Sequence, residues 1–149
     1  KVLKDLKKGK ENGQLIFKKN CYSKISQVLF KSIFESLNDE QKKDCRFAQW
    51  DFKNKQFVET GRNFEERLIL ESRLILPDFI LGNKIIEFDG EYWHGRNLIR
   101  SGNSNRDKER DERLIRNAYE VLHIKESEFK ENQEHIINKC INFLNKFDE

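Results

Sequence analysis

Pro77-Asp78-Phe79-Ile80-Leu81-Gly82-Asn83-Lys84-Ile85-Ile86-Glu87-Phe88-Asp89-Gly90-Glu91-Tyr92-Trp93-His94 is the stretch on which the reading of the fold turns. Two short apolar runs flank Gly82-Asn83, a pair suited to a two-residue hairpin turn. Such a turn pairs Leu81 with Lys84, Ile80 with Ile85, Phe79 with Ile86 and Asp78 with Glu87. Both faces of the hairpin are then apolar, with Leu76, Ile80 and Ile85 on one and Phe79, Leu81, Ile86 and Phe88 on the other. Strands buried on both faces belong in the middle of a sheet covered by helices, and Pro77 suits the first position of such a strand. Asp78 and Glu87 meet across the ladder, where like charges destabilise by a few tenths to about 1 kcal/mol even when exposed. A proton or a cation is the expected remedy. Asp89, two residues beyond Glu87, lies on the same face, and His94 follows a glycine that lets the chain turn.

With 149 residues, the chain is read as one domain with its own core. Apolar residues make up 36%, charged residues 37%, and there are twelve Phe, which argues for a compact aromatic core under a charged surface rather than for disorder. The net charge of +3 is uneven: nine Lys in residues 1–31 against Asp5 and Glu11 give +7, leaving −4 for the rest. A basic arm over about residues 1–20, with Lys7, Lys8 and Lys10, suits a polyanionic partner, a solvated terminus being the plainer alternative. Cys21, Cys45 and Cys140 are far apart with no CxxC, against a zinc module or a disulfide framework. Thiols in a reducing, intracellular setting are expected, cytoplasmic or nucleoid-associated. No apolar run reaches the ~18–20 residues of a membrane span, and no signal peptide is visible. The chain opens on Lys and contains no Met, so a piece of a longer protein is expected.

Outward from the hairpin, Ser23 is a good N-cap for a helix with Ile25, Val28, Leu29, Ile33 and Leu37 as its core stripe. Residues 46–60 read as a hairpin turning at Lys53-Asn54-Lys55. Residues 64–76 read either as a short helix or as a hairpin turning at Glu71-Ser72, whose register sets Glu65 opposite Asp78 with Glu66 beside it. Ser104 is expected to cap a charged helix over about 105–117, with Leu114, Ile115 and Ala118 as its few apolar positions and Arg106, Arg110 and Arg113 on one face. A strand at 121–124 and an amphipathic helix at about 131–147 follow, the latter carrying Ile136, Ile137, Cys140, Ile141 and Leu144. This order makes an α/β fold, a mixed central sheet flanked by helices.

An Asp and a Glu in a pair, with a further Asp and a His nearby, suit a hydrolytic metal site for phosphodiesters. Mg²⁺ takes oxygen ligands and keeps several waters. Bound there, it activates water and offsets charge on the phosphate. A histidine such as His94 can carry the proton, and Asp107 can fix its tautomer if the charged helix folds over the sheet. Plainer readings stand beside these: Asp89-Gly90 as a turn, His94 as a packed histidine, and Asp107 and Asp111 as surface acids. His123, in an apolar strand, is read as structural, and His135 as a surface residue.

At these residues the chain resembles the PD-(D/E)xK nuclease superfamily: Pro77-Asp78 and Glu87-Phe88-Asp89 match its motif, with Asp89 where the Lys would be. The run from Ile85 to His94, followed by Arg106-Asp107-Lys108-Glu109-Arg110-Asp111-Glu112-Arg113-Leu114, is similar to one branch of it. That branch holds the very-short-patch repair endonucleases and the related homing endonucleases with a Glu-Asp-x-His-Asp site. The resemblance implies a restriction-endonuclease-like core and cleavage of double-stranded DNA with Mg²⁺ or Mn²⁺. Asp78 would be the main metal ligand, Glu87 and the Phe88 carbonyl further ligands, His94 the catalytic histidine and Asp107 its partner. Glu87 and Asp89 complete the acidic set. The leading Glu is preferred at Glu66, with Glu65, Glu71 and the position of Gln56 as alternatives.

The expectation is therefore a metal-dependent DNA endonuclease of homing or patch-repair type, with homodimers possible and no membrane role. The basic arm with Arg96, Arg100, Arg106 and Arg110 would contact phosphates, which gives affinity rather than sequence choice. The competing readings are a catalytically inactive nuclease-fold DNA-binding module and a nucleic-acid interaction domain whose acids are merely solvated.

Overall fold

Gly82 takes a φ of +62°, the left-handed conformation that glycine adopts without strain, and turns the chain where the sequence predicts. The computed structural model describes residues 22–59, 63–90 and 103–146. Around Gly82, strands β6 (Phe79–Leu81) and β7 (Lys84–Asp89) pair antiparallel as Phe79↔Ile86, Ile80↔Ile85 and Leu81↔Lys84. They occupy the middle of a four-stranded sheet, between an antiparallel β1 (Cys45–Phe47) and a parallel β8 (Glu120–Lys125). The protein is thus mixed α/β with a mixed central sheet and flanking helices.

Alternation along the strands sends side chains to two separate cores. On one face, Phe79, Ile86 and Ile124 pack with Leu29, Phe30, Ile33 and Phe34 of α1 (Lys24–Ser36) and with Ile136, Cys140 and Leu144 of α5 (Gln133–Leu144). On the other, Ile80 and Ile85 meet Ile75 and Leu114, the latter from α3 (Asn103–Arg116). Ser23 caps α1 by accepting from the Ser26 N–H at 3.2 Å. The buried face of α1 runs through positions 26, 29, 30, 33, 34 and 37, which leaves Val28 51% exposed rather than in the core. Leu76 and Ile115 also face outward, contrary to the apolar stripes read for them: Ile75, not Leu76, packs with Ile80 and Ile85, and α3 turns Leu114 rather than Ile115 onto them.

Asn38 ends the first helix and caps a short second one, α2 (Asp39–Asp44), through a reciprocal capping box with Gln41. The hairpin read at 46–60 is β2 (Trp50–Asp51) paired with β3 (Gln56–Phe57). Its turn is tied by the Asp51 carboxylate, which accepts the N–H groups of Lys53 and Asn54. Residues 68–75 form a hairpin and not a helix, β4 (Leu68–Leu70) with β5 (Arg73–Ile75). Its turn residues Glu71 and Ser72 both have positive φ, of 54° and 67°. Glu71 is anchored by the Arg116 and Asn117 side chains, so a tertiary contact supports an otherwise unfavourable turn pair. Helix α3 begins at Asn103, which puts Ser104 inside it rather than at its cap. The C-terminal helix read at about 131–147 is α5 (Gln133–Leu144), capped by the Asn132 side chain, and a further short helix, α4 (Glu126–Glu131), precedes it. Among the described residues no helix is long and apolar enough to cross a membrane. Cys45 and Cys140 are free and buried, and burial raises both thiols, Cys140 to about 12, so neither is a ready nucleophile. The basic arm and Cys21 lie outside the described residues.

Candidate acidic site at the end of the central strands

The strand period decides which side chains meet. Ile80 and Ile85 face α3, so Asp78, Glu87 and Asp89, an even number of residues away, face it too, as does His123 beside Val121. Continuing the hairpin register sets Asp78 against Glu87, and the two clasp through the backbone. The Asp78 N–H donates to Glu87 Oε2 at 3.1 Å, and the Phe88 N–H donates to Asp78 Oδ2 at 2.9 Å. The same register sets Pro77 opposite Phe88. Proline has no N–H, so the ladder on that side offers the Phe88 carbonyl no donor.

Three acids are crowded here, and their proton affinities record it. Burial, then the charge of Asp78, raises Glu87 to about 8. Burial chiefly raises Asp78, opposed by its bond from Phe88 and by Arg110. Glu65, from the segment before β4, rises to about 7 through burial and the charge of Asp78. It is therefore Glu65, not Glu66, that joins the pair. Glu66 instead accepts from the N–H of Arg67. A β-branch-free chain entering the hairpin alternates as any strand does, and the register fixes position 65, not 66, opposite Asp78.

Arg110 supplies the cation that the paired acids call for. Its Nη1 lies 3.3 Å from Glu87 Oε1, and its Nη2 is near the Leu76 carbonyl. Arg110, read as a phosphate contact, has its guanidinium turned inward on Glu87. Arg106, one turn earlier, is exposed.

Among the described residues one histidine, His123, joins these acids. His123 Nε2 lies 2.6 Å from Asp111 Oδ2 and its Nδ1 3.3 Å from Asp89 Oδ2. The hydrogen bond with Asp89, opposed by burial and aided by Asp111, raises His123 to about 9, so it is an imidazolium at neutral pH. His123 is structural, as read, but through charge rather than apolar packing, and the surface reading of Asp111 is corrected: the two bridge β8, β7 and α3. The signal was present in the sequence, since His123 shares the alternation of Val121 and Asp111 precedes Leu114, the apolar residue that α3 buries, by three. Asp107, expected to partner a histidine, is exposed on α3. His94, Arg96 and Arg100 lie outside the described residues, as do Lys7, Lys8 and Lys10.

Asp78, Glu87 and the Phe88 carbonyl are the groups here that could hold a hard divalent cation. They offer oxygens only, and the two carboxylates are unfavourable as bare anions where they sit. Among the described residues no three of His, Cys, Asp and Glu gather closely enough to hold an ion alone. A carboxylate pair completed by a main-chain carbonyl and waters is an arrangement Mg²⁺ accepts.

A pH dependence follows from the raised groups. Glu65 and Glu87 move up from 4.5, and His123 up from 6.5. In each case the folded chain holds its proton more tightly than the unfolded one. Their stabilisation is full below the unfolded values and is lost as pH rises through the folded ones. Urea midpoints without divalent ions are expected to fall steadily from pH 5 to pH 9; a flat or rising profile contradicts this assignment.

Compared with known protein families, curated proteins and solved structures, the chain matches none of them.

Proposed function

We propose that the chain is a metal-dependent DNA endonuclease with a restriction-endonuclease-like core, of the patch-repair or homing type its sequence resembles. The observation that carries this reading is the clasp between Asp78 and Glu87, which fixes a half-buried and a buried carboxylate side by side at the end of the central strands. Asp78, Glu87 and the Phe88 carbonyl would hold Mg²⁺ or Mn²⁺. Such an ion, when bound, offsets charge on a phosphate and acidifies a water. Glu65, which the hairpin register sets opposite Asp78 and whose proton affinity burial and the charge of Asp78 raise, would accept a proton from a water at the acids. Arg110 orients Glu87, and the His123 imidazolium, with Asp89 and Asp111, fixes α3 over the sheet and adds positive charge near Asp78.

His123→Gln breaks that bridge and leaves Asp111, whose Oδ1 is already buried without a partner, without its cation. His123 is 37% exposed, so solvent screens part of the loss. The expected destabilisation is about 1–2 kcal/mol, shrinking toward zero above pH 9, where the imidazole is neutral. Denaturant unfolding of the two proteins at pH 7 and pH 10 checks it.

One observation favours a second reading, the inactive DNA-binding module: Arg110 already neutralises Glu87 as a bound cation would. Nicking of supercoiled plasmid in Mg²⁺, abolished by EDTA, supports the enzyme. Tight plasmid binding with no nicking in Mg²⁺ or Mn²⁺ supports the module.

A further inference from the structure

Arg113 lies on α3 with its side chain only 5% exposed. Its Nη2 donates to Glu109 Oε1 at 3.0 Å, but its Nε and Nη1 are buried and have no hydrogen-bond partner. A guanidinium cannot shed its proton to escape burial, and unpaired buried donors are uncommon in folded proteins because each is costly. The groove that Arg113 lines, with a volume of about 460 Å³, also holds Arg73, Arg106 and Arg110 against Asp107 and Glu109. With Arg110 answered by Glu87, three guanidiniums face two carboxylates, so one positive charge remains uncompensated there. Glu109 is shared between Arg73 at 3.6 Å and Arg113 at 3.0 Å, and touches Arg116, whose closer partner is Glu71, at 3.8 Å.

We infer that this groove binds a phosphate group on Arg113, assisted by Arg73 and Arg106; on the endonuclease reading above, that group is a backbone phosphate of the DNA beside the cleaved one. The chemistry selects phosphate. Its several anionic oxygens can take the unused N–H groups of Arg113 together with those of exposed neighbours, which a single neutral acceptor cannot. Position selects its source. Arg110 lines the groove and also reaches Glu87, so the groove runs directly to the acidic end of the central strands.

The first test uses inorganic phosphate, with neither metal nor DNA present. In ¹⁵N-labelled protein, the Arg113 Nε–H resonance, assigned by its loss in Arg113→Lys, is expected to shift saturably as phosphate replaces chloride at constant ionic strength. Phosphate is expected to raise the thermal midpoint of the parent and not of Arg113→Met, which removes the unpaired charge. If either variant does not fold, Arg73→Ala and Arg106→Ala, both at exposed positions, are expected to weaken phosphate binding several-fold. An unmoved Arg113 resonance, or the same phosphate response in Arg113→Met, overturns the site. The second test measures binding of a short DNA duplex in EDTA. Arg113→Met is expected to weaken it about tenfold and to lower the salt slope by about one. Unchanged duplex binding overturns the DNA assignment of the groove. Failure to cleave DNA in Mg²⁺ bears only on the endonuclease reading, because neither measurement depends on turnover.

Discussion

Asp78→Asn is expected to lower plasmid cleavage in Mg²⁺ by at least about a hundredfold, the scale of losing one group that stabilises developing charge, while leaving the fold as stable as before or more so. The two halves have one cause. Asp78 is raised chiefly by burial, so its ionised form is disfavoured in the folded chain. An amide of the same shape still accepts the Phe88 N–H through its oxygen, the bond that Asp78 accepts at 2.9 Å. It no longer repels Glu87 and Glu65, but it offers a cation no charge. Urea midpoints and nicking assays on the same preparations separate the effects. Cleavage unchanged by the substitution removes Asp78 from the site; lost cleavage together with a much lower midpoint reduces Asp78 to a structural role.

Phe79→Ala is expected to cost about 3–5 kcal/mol, a large share of the roughly 5–15 kcal/mol that a domain has in total. Phe79 is fully buried, stacks on Phe47 with ring centroids 5.5 Å apart, and meets Phe30 at 5.3 Å. Its ring joins β1, β6 and α1, so no single neighbour can close the void. The urea midpoint is expected to drop by about 2 M at a typical slope. Ile69→Ala is the control: that side chain is 72% exposed, and its loss should stay within about 0.5 kcal/mol. A Phe79→Ala cost below about 1 kcal/mol would show that the aromatic cluster repacks.

Legibility followed the range of the interaction. The turn at Gly82, the register of its hairpin and the assignment of residues to two faces were readable because a two-residue turn fixes pairing and pleating fixes faces. The Ser23 cap was readable for the same local reason. The alternatives over 64–76 were not resolved locally, since Glu71-Ser72 is a poor turn pair until Arg116 and Asn117 hold it, 45 and 46 residues away. Of the two neighbouring acids, the settled hairpin register sets Glu65 rather than the preferred Glu66 beside Asp78, a one-residue distinction that depended on choosing hairpin over helix for 64–76.

By itself, the sequence determined that Asp78, Glu87 and Asp89 share one face at the end of a buried hairpin, because strand period and turn length are local properties. Only the tertiary structure decided what answers their charge. Arg110 and Asp111 come from a helix that the sheet orders against Ile80 and Ile85 through Leu114, and His123 comes from a strand paired in parallel. Those partners are set by the angle and height at which α3 crosses the sheet, which depends on packing between segments distant in the chain and is written in no single stretch of it.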